Sequence, residues 1–196
     1  LFVSNHTSYL DIVVLAAQLR ATFVAKQEVA EWPGFGLLAR LNRTVFVQRN
    51  ARRSREYRDE MHRHLAAGHS LILFPEGTSN DGNRVLDFNS TFFSVAENRI
   101  LTDPTTVQPV AIAYTRLNGL PVGRSRRPLF AWYGDMSLVG HLWSVLGQST
   151  VTIEIAFLPP VTIETCGSRK EMARHCQLLV ATCVSDMLSG RPIRSI

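Results

Sequence analysis

Short apolar segments rich in β-branched and aromatic residues alternate along the chain with longer amphipathic segments. The segments TFVA at residues 22–25 and SLILF at residues 70–74 are examples. Strands separated by helices of ten or more residues are typical of βαβ units. The pattern therefore predicts an α/β fold, in which helices cover a mixed, largely parallel sheet in a single domain. The predicted strands lie near residues 1–4, 21–25, 44–48, 70–74, 106–114, 129–133 and 150–157.

Helical patterns fill the gaps between these strands. An apolar run extends from Asp11 to near Leu19, and a second helical pattern covers residues 169–188. In the second pattern Cys176 and Cys183 lie seven residues apart, a spacing that predicts one buried helix face. Between the regular elements, the residues of DGN at 81–83 predict a turn, and residues 117–128 predict an irregular basic loop.

One junction between a strand and a helix contains candidate catalytic residues. Residues 4–8 (SNHTS) are polar and include good helix-capping residues, so His6 lies where a strand ends and a helix begins. Ligands of open α/β sheets bind at this end of the strands. If Asp11 lies in the first helical turns, its carboxylate can fold back onto the imidazole, fix the tautomer and raise the basicity of the ring. The pair therefore predicts a general base that acts on an alcohol.

The rest of the sequence limits the mechanism. No serine or cysteine lies in a nucleophile motif such as GxSxG, which favours direct attack by a substrate hydroxyl over an acyl-enzyme. The three cysteines show no CxxC spacing, so neither a disulfide framework nor a zinc site is expected, and a reducing compartment fits. His62, His64 and His69 lack accompanying carboxylates at helical spacing. We therefore expect neither a metal nor a bound cofactor.

The composition fits one compact domain with an anionic partner. The chain has 196 residues, of which 45% are hydrophobic and 19% charged, and 21 Lys and Arg exceed 16 Asp and Glu. Basic residues cluster over residues 49–58 and at Arg124, Arg126 and Arg127. A membrane surface, an acyl carrier or coenzyme A would complement this charge. Nucleic acid is not expected, because no recognition helix or aromatic RNA-binding pattern accompanies it. Interspersed acidic residues over residues 52–63 also fit a solvated helix face.

Four blocks of the sequence resemble the motifs of the glycerolipid acyltransferase family, which includes lysophosphatidic acid acyltransferases. They are NHTSYLD at residues 5–11, which has the NHxxxxD form, TVFVQR at 44–49, FPEGT at 74–78 and VQPVA at 107–111. The order and spacing of the blocks also agree with the family. The resemblance covers roughly residues 1–160.

The resemblance implies that a fatty acyl group is moved from acyl-coenzyme A or an acyl carrier protein to the hydroxyl of a lysolipid. The favoured acceptor is 1-acyl-sn-glycerol-3-phosphate, and no cofactor is required. His6 would be the general base and Asp11 would orient it, with backbone N–H groups near Gly77 as expected oxyanion donors. Three residues of the third block would shape the acceptor site, and two basic residues are candidate anion contacts. These residues are Glu76, Gly77 and Thr78, followed by Arg49 and Lys26.

The chain departs from the family after Thr78. The family motif usually continues with an arginine, implied to hold the acceptor phosphate, whereas Ser79 and Asn80 follow here. Lyso-ornithine acyltransferases look similar at this point, so lyso-ornithine lipid or another lysophospholipid is the alternative acceptor. Two other classes stay open: a lipid-binding module without catalysis, and a hydrolase that uses the same residues with water.

Membrane association is expected, although no apolar run approaches the ~20 residues that a membrane-spanning helix needs. The sequence begins at Leu1, inside the first predicted strand, so we expect residues 1–196 to be a catalytic domain that an N-terminal anchor precedes. The expected location is the cytoplasmic face of the inner membrane. The aromatic stretches at residues 32–38 and 142–146 predict either insertion into the interface or packing under the sheet.

Overall fold

The computed structural model describes residues 1–26, 45–47, 54–97, 99–100 and 103–192. Five strands pair in parallel: β1 (Phe2–Ser4), β2 (Ala21–Lys26), β3 (Val45–Val47), β4 (Ser70–Leu73) and β7 (Gln108–Leu117). Strands β8 (Leu120–Pro121) and β9 (Val151–Phe157) run antiparallel to β7. Strands β5 (Arg99–Ile100) and β6 (Asp103–Pro104) form a separate ribbon. The main sheet is therefore mixed and largely parallel, as the sequence predicts. The spatial order of its strands is β3, β2, β4, β1, β7 and β8, and β9 also pairs with β7.

Helices cover both faces of this sheet. Ser90–Glu97 and Arg127–Leu129 form 3-10 helices. The long C-terminal helix has the predicted bounds, and the Ser168 hydroxyl caps its first turn by accepting from the Glu171 N–H. Within the described residues, the α-helices are α1 (Leu10–Gln18), α2 (Ser54–Ala66), α3 (Leu138–Leu146), α4 (Ile163–Cys166) and α5 (Arg169–Leu188).

The central strands are buried on both faces, which explains why their sequences are continuously apolar. Leu71 and Leu73 of β4 belong to the core beneath α2 and α5, whereas Ile72 packs with Leu15 of α1 on the opposite face. The same alternation continues through β7, because successive side chains of a strand point to opposite faces. Cys176 and Cys183 are buried on α5, as predicted, and burial raises the pKa of the Cys183 thiol to about 11.

The predicted strand at residues 129–133 is wrong. Residues 127–129 form a 3-10 turn around Pro128, and a loop follows. Phe130 and Ala131 are buried without belonging to a strand, and the Phe130 ring stacks on Tyr114 with centroids 5.5 Å apart. The Trp132 N–H donates to the Thr7 carbonyl at 3.0 Å. These residues are apolar because they pack in a buried loop, and their pattern therefore resembles that of a strand.

The predicted irregular loop at 117–128 begins as a hairpin instead. Asn118 and Gly119 have φ values of 53° and 79° and connect β7 to β8. Two-residue hairpin turns favour the sequence Asn-Gly, because both residues can adopt left-handed backbone angles.

The two aromatic stretches have different outcomes. Residues 142–146 belong to α3 on the surface and do not pack under the sheet, whereas residues 32–38 lie outside the described residues. Within the described ranges, no helix combines the length and apolar character needed to cross a bilayer.

Candidate active site

The turn after β1 is fixed by an asparagine that sequence reasoning treated only as part of a motif. The Asn5 side chain is buried, donates to the Ile112 carbonyl and accepts from the Ile112 N–H, both at 2.9 Å. It thus replaces a backbone partner beside β7 and pairs both the N–H and the carbonyl of Ile112. This contact holds residues 4–8 at the carboxyl end of the parallel strands, where the sequence predicted the site.

The structure brings His6 and Asp11 together. His6 Nδ1 lies 2.9 Å from Asp11 Oδ2, with the imidazole 19% exposed and the carboxylate fully buried. The backbone N–H groups of Thr7 and Ser8 donate to the same oxygen at 2.7 and 2.9 Å. With the Nδ1 proton directed to the carboxylate, Nε2 of the neutral ring is left as a proton acceptor.

Two contacts missed by sequence reasoning complete the environment of this pair. The Tyr114 hydroxyl donates to Asp11 Oδ1 at 2.8 Å, and burial raises the pKa of Tyr114 well above its usual value. The Phe74 ring stacks on the imidazole with centroids 4.1 Å apart. Tyr114 resembles an ordinary core residue of β7 in the sequence, and the only available signal was that a buried tyrosine hydroxyl needs a partner.

Glu76 connects the third motif to the first. Its Oε1 accepts from the His6 N–H at 2.7 Å, and its Oε2 accepts from Asn80 Nδ2 at 2.7 Å and from the Leu86 N–H at 2.9 Å. Burial raises the pKa of Glu76 to about 7, although these three donors favour the ionised form. The carboxylate therefore holds the His6 loop in place, a role that the sequence did not predict. Its contribution to acceptor binding stays a prediction.

The rest of the FPEGT segment forms a tight turn beside the pair. Gly77 has a φ of 69°, which favours glycine, and its N–H donates to the Phe74 carbonyl at 3.0 Å. That N–H is therefore already engaged within the turn, and the oxyanion donors expected near Gly77 stay a prediction. Thr78 is exposed, whereas the Ser79 hydroxyl donates to the Trp132 carbonyl. Position 79 thus carries a neutral, hydrogen-bonded side chain.

The two predicted anion contacts are not tested by the structure. Arg49 lies outside the described residues. Lys26 ends β2, where its backbone pairs with Val47, but its side chain is not described. In the part of the chain that is described, no cluster of three or more His, Cys, Asp or Glu residues is arranged to hold a metal ion.

Replacing Glu76 with glutamine is expected to destabilise the fold. One carboxylate oxygen becomes an NH₂ group that faces N–H donors, and leaving buried donors unpaired costs about 1–3 kcal/mol of unfolding free energy. Chemical denaturation at pH 8, above the Glu76 pKa of about 7, measures the change with the wild-type group ionised. Glu97→Gln is the matched control, because that carboxylate is 44% exposed in a 3.5 Å ion pair with Arg169. Equal losses in both variants would contradict the assigned role.

Comparison with known proteins identifies the class of this chain. A family model described as Acyltransferase matches residues 1–113. The chain belongs to this acyltransferase family, which confirms the resemblance inferred from its motifs and the prediction of an O-acyltransferase. In fold, it resembles the crystal structure of the 1-acyl-sn-glycerophosphate (LPA) acyltransferase PlsC from Thermotoga maritima. The TM-score is 0.61 at 22% identity, over 98% of this chain and 67% of that one.

The curated relatives include enzymes named for lyso-ornithine lipid and enzymes named for 1-acyl-sn-glycerol-3-phosphate. The lyso-ornithine lipid O-acyltransferase of Brucella abortus is 44% identical over 98% of this chain and 74% of its own length. The enzyme of the same name from Rhizobium meliloti is 42% identical over 97% of this chain and 67% of its own length. The 1-acyl-sn-glycerol-3-phosphate acyltransferase of Neisseria gonorrhoeae is 31% identical over 81% of this chain and 58% of its own length.

Proposed function

We propose that this chain transfers a fatty acyl group from an acyl thioester to the hydroxyl of lyso-ornithine lipid. The observation that supports this reaction type is the 2.9 Å contact between His6 Nδ1 and Asp11 Oδ2 at the carboxyl end of β1. The acceptor follows from the relatives named for lyso-ornithine lipid, which are 44% and 42% identical, against 31% for the glycerophosphate relative. It therefore replaces 1-acyl-sn-glycerol-3-phosphate, which the motifs alone favoured, as the preferred acceptor.

In the proposed reaction, His6 Nε2 accepts the proton of the acceptor hydroxyl while the hydroxyl oxygen attacks the thioester carbonyl carbon. The tetrahedral intermediate then collapses, the C–S bond breaks, and the imidazolium returns its proton to the departing thiolate. The products are the diacylated lipid and the free thiol of coenzyme A or of an acyl carrier protein. A positioned general base contributes about 10²–10⁴ to the rate. No cofactor is needed in any of these steps.

Asp11 stabilises the imidazolium that forms in this step. Its carboxylate accepts hydrogen bonds from the imidazole, from two backbone N–H groups and from the Tyr114 hydroxyl. Hydrogen bonds to the charged form of a carboxyl group favour that form even in a buried site. We therefore assign Tyr114 as a positioning residue that keeps Asp11 oriented towards His6.

Residue 79 supports the choice of acceptor. Where the family usually has arginine, the Ser79 hydroxyl is neutral and donates to the Trp132 carbonyl. A fixed cation at this position would attract a phosphate and would repel a headgroup that carries its own ammonium. Thr78 remains a candidate acceptor contact, as do Glu76 and Gly77. Arg49 and Lys26 remain candidate contacts for anionic groups of either substrate.

The remaining proposals concern the setting of the reaction. Residues 1–196 would form the catalytic domain, acting at a membrane surface on the cytoplasmic face of the inner membrane. The donor would be acyl-coenzyme A or an acylated carrier protein, and either is anionic, which suits the net charge of +5.

An acceptor panel with a labelled acyl thioester, read by lipid mass spectrometry, tests the proposed acceptor. The wild-type enzyme should acylate lyso-ornithine lipid in preference to 1-acyl-sn-glycerol-3-phosphate. Ser79→Arg should impair the first reaction and improve the second about tenfold or more, because a charge-assisted contact contributes about 1.5–3 kcal/mol.

Ser79→Ala is the matched control, since it removes the contact with Trp132 without adding a charge. It should weaken both reactions to a similar extent. An enzyme that acylates 1-acyl-sn-glycerol-3-phosphate and ignores lyso-ornithine lipid would overturn the acceptor assignment. Release of free fatty acid without any acylated lipid would indicate a hydrolase instead.

A further inference from the structure

Helix α3 carries three exposed apolar side chains on its outer face and a buried histidine on the opposite face, beside the half-buried Leu138, Leu142 and Val145. Its only fully buried residue is His141, whereas Val139, Trp143 and Leu146 are 77%, 78% and 67% exposed. The spacing of these three residues, i, i+4 and i+7, places them on one helical face, and His141 lies on the opposite side. A surface helix of a soluble protein normally carries polar and charged side chains on its outer face. The exposed face therefore indicates an apolar partner.

The segment around α3 also lacks the charges that usually keep a surface helix in water. Residues 136–150 contain no Asp, Glu, Lys or Arg. Just before the helix, Tyr133 and Met136 are 36% and 38% exposed, on either side of the exposed Asp135. Tryptophan and tyrosine are favoured at lipid interfaces, because their rings combine an apolar body with a polar atom.

This surface is attached directly to the loop that contains His6. The Tyr9 hydroxyl and His141 Nδ1 are 3.0 Å apart, which connects α3 to the start of α1. The Trp132 N–H donates to the Thr7 carbonyl at 3.0 Å, and the Trp132 indole N–H donates to the Met136 carbonyl at 2.9 Å. Whatever binds the exposed face of α3 is therefore held next to the acyl-transfer site.

Positive charge lies on the segment that precedes α3 in the sequence. Arg124 and Arg126 are exposed, whereas Arg127 is engaged with the Asn83 side chain and the Leu188 carbonyl. Two of the three arginines in this basic cluster are thus exposed at the surface. Exposed arginines near an anionic lipid surface strengthen membrane binding.

We propose that α3 lies in the interfacial layer of an anionic bilayer, with Val139, Trp143 and Leu146 inserted below the headgroups and with Arg124 and Arg126 against anionic lipid. The proposal rests on the proposed function, because a lysolipid acceptor resides in a membrane. A second copy of the chain fits less well. The three side chains expose on the order of a few hundred Å², and specific protein interfaces bury about 800 Å² on each partner.

Vesicle co-sedimentation of the 196-residue chain tests this surface. The wild-type chain should bind vesicles of phosphatidylglycerol and phosphatidylcholine, and salt should weaken the binding as the screening length falls below ~8 Å. The double variant Trp143→Ser, Leu146→Ser should bind at least about tenfold more weakly, because the apolar area that enters the interface is lost. Leu178→Ser on α5 is the matched control, since Leu178 is 62% exposed and Leu146 is 67% exposed. It should bind like the wild type. Arg124→Gln, Arg126→Gln should bind weakly at every salt concentration.

Each other outcome would overturn the proposal. These outcomes are a wild-type chain that binds no vesicles, equal binding by the α3 double variant and the wild type, and equal retention on neutral and anionic vesicles at all salt concentrations. A wild-type dimer that the double variant converts to a monomer in light scattering would assign the face to a second copy. Acyl transfer to a short-chain acceptor that is monomeric in water separates this proposal from the proposed function. The double variant should retain that transfer, and its loss there would make α3 part of the site rather than a membrane contact.

Discussion

His6→Ala is expected to lower the rate of acyl transfer by about 10²–10⁴-fold or more, since the acceptor hydroxyl then has no base to take its proton. Initial rates with a labelled acyl thioester at saturating acceptor measure the loss. The fold should persist, because the imidazole contributes one stacking contact with Phe74 and one contact with Asp11. Thermal unfolding of the variant checks this expectation.

Two variants make the His6 result decisive. His6→Phe keeps an aromatic ring against Phe74 but removes the base, so it should be as inactive as His6→Ala. His175→Ala on α5 is the matched control, because that histidine is exposed on a helix outside the site and should leave the rate unchanged. Near-normal turnover by folded His6→Phe protein would refute the proposed mechanism.

Asp11→Asn is expected to lower the rate by about 10²–10³-fold, a large effect but a smaller one than that of His6→Ala. The variant removes the negative charge that stabilises the imidazolium. The geometry can survive, since the amide oxygen can occupy the Oδ2 position and accept from His6, Thr7 and Ser8. The amide NH₂ can then donate to the Tyr114 hydroxyl, which is able to accept as well as to donate.

Kinetics at several acceptor concentrations check the Asp11 result. The loss should appear in kcat with little change in KM, because Asp11 is buried behind the imidazole. Asp59→Asn, at a carboxylate that is 65% exposed on α2, should have no effect. An Asp11→Asn enzyme with wild-type kcat would show that the carboxylate is only structural.

Most of the sheet was accessible from the sequence because its signals are local. Strand β4 is an apolar run, β9 alternates apolar residues with Thr152 and Glu154, and the helix at Arg169–Leu188 begins with a serine cap and follows one buried stripe. The strand predicted at 129–133 failed for the same physical reason. Burial alone produces an apolar run, and the run does not show whether its backbone pairs with a strand or turns around Pro128.

The contacts of the candidate site also divide into local ones, which the sequence predicts, and long-range ones, which it does not. His6 and Asp11 are five residues apart, so a turn followed by a helix is enough to bring them together, and the sequence by itself determined this pair, the FPEGT motif and the acyltransferase class. The contacts that hold the pair connect residues far apart in the chain: Glu76 with the His6 N–H, Tyr114 with Asp11, and Asn5 with Ile112. Only the tertiary structure decided those contacts and the outward face of α3. Which buried donor meets which acceptor depends on strand order and helix placement, and no local pattern of residues records either.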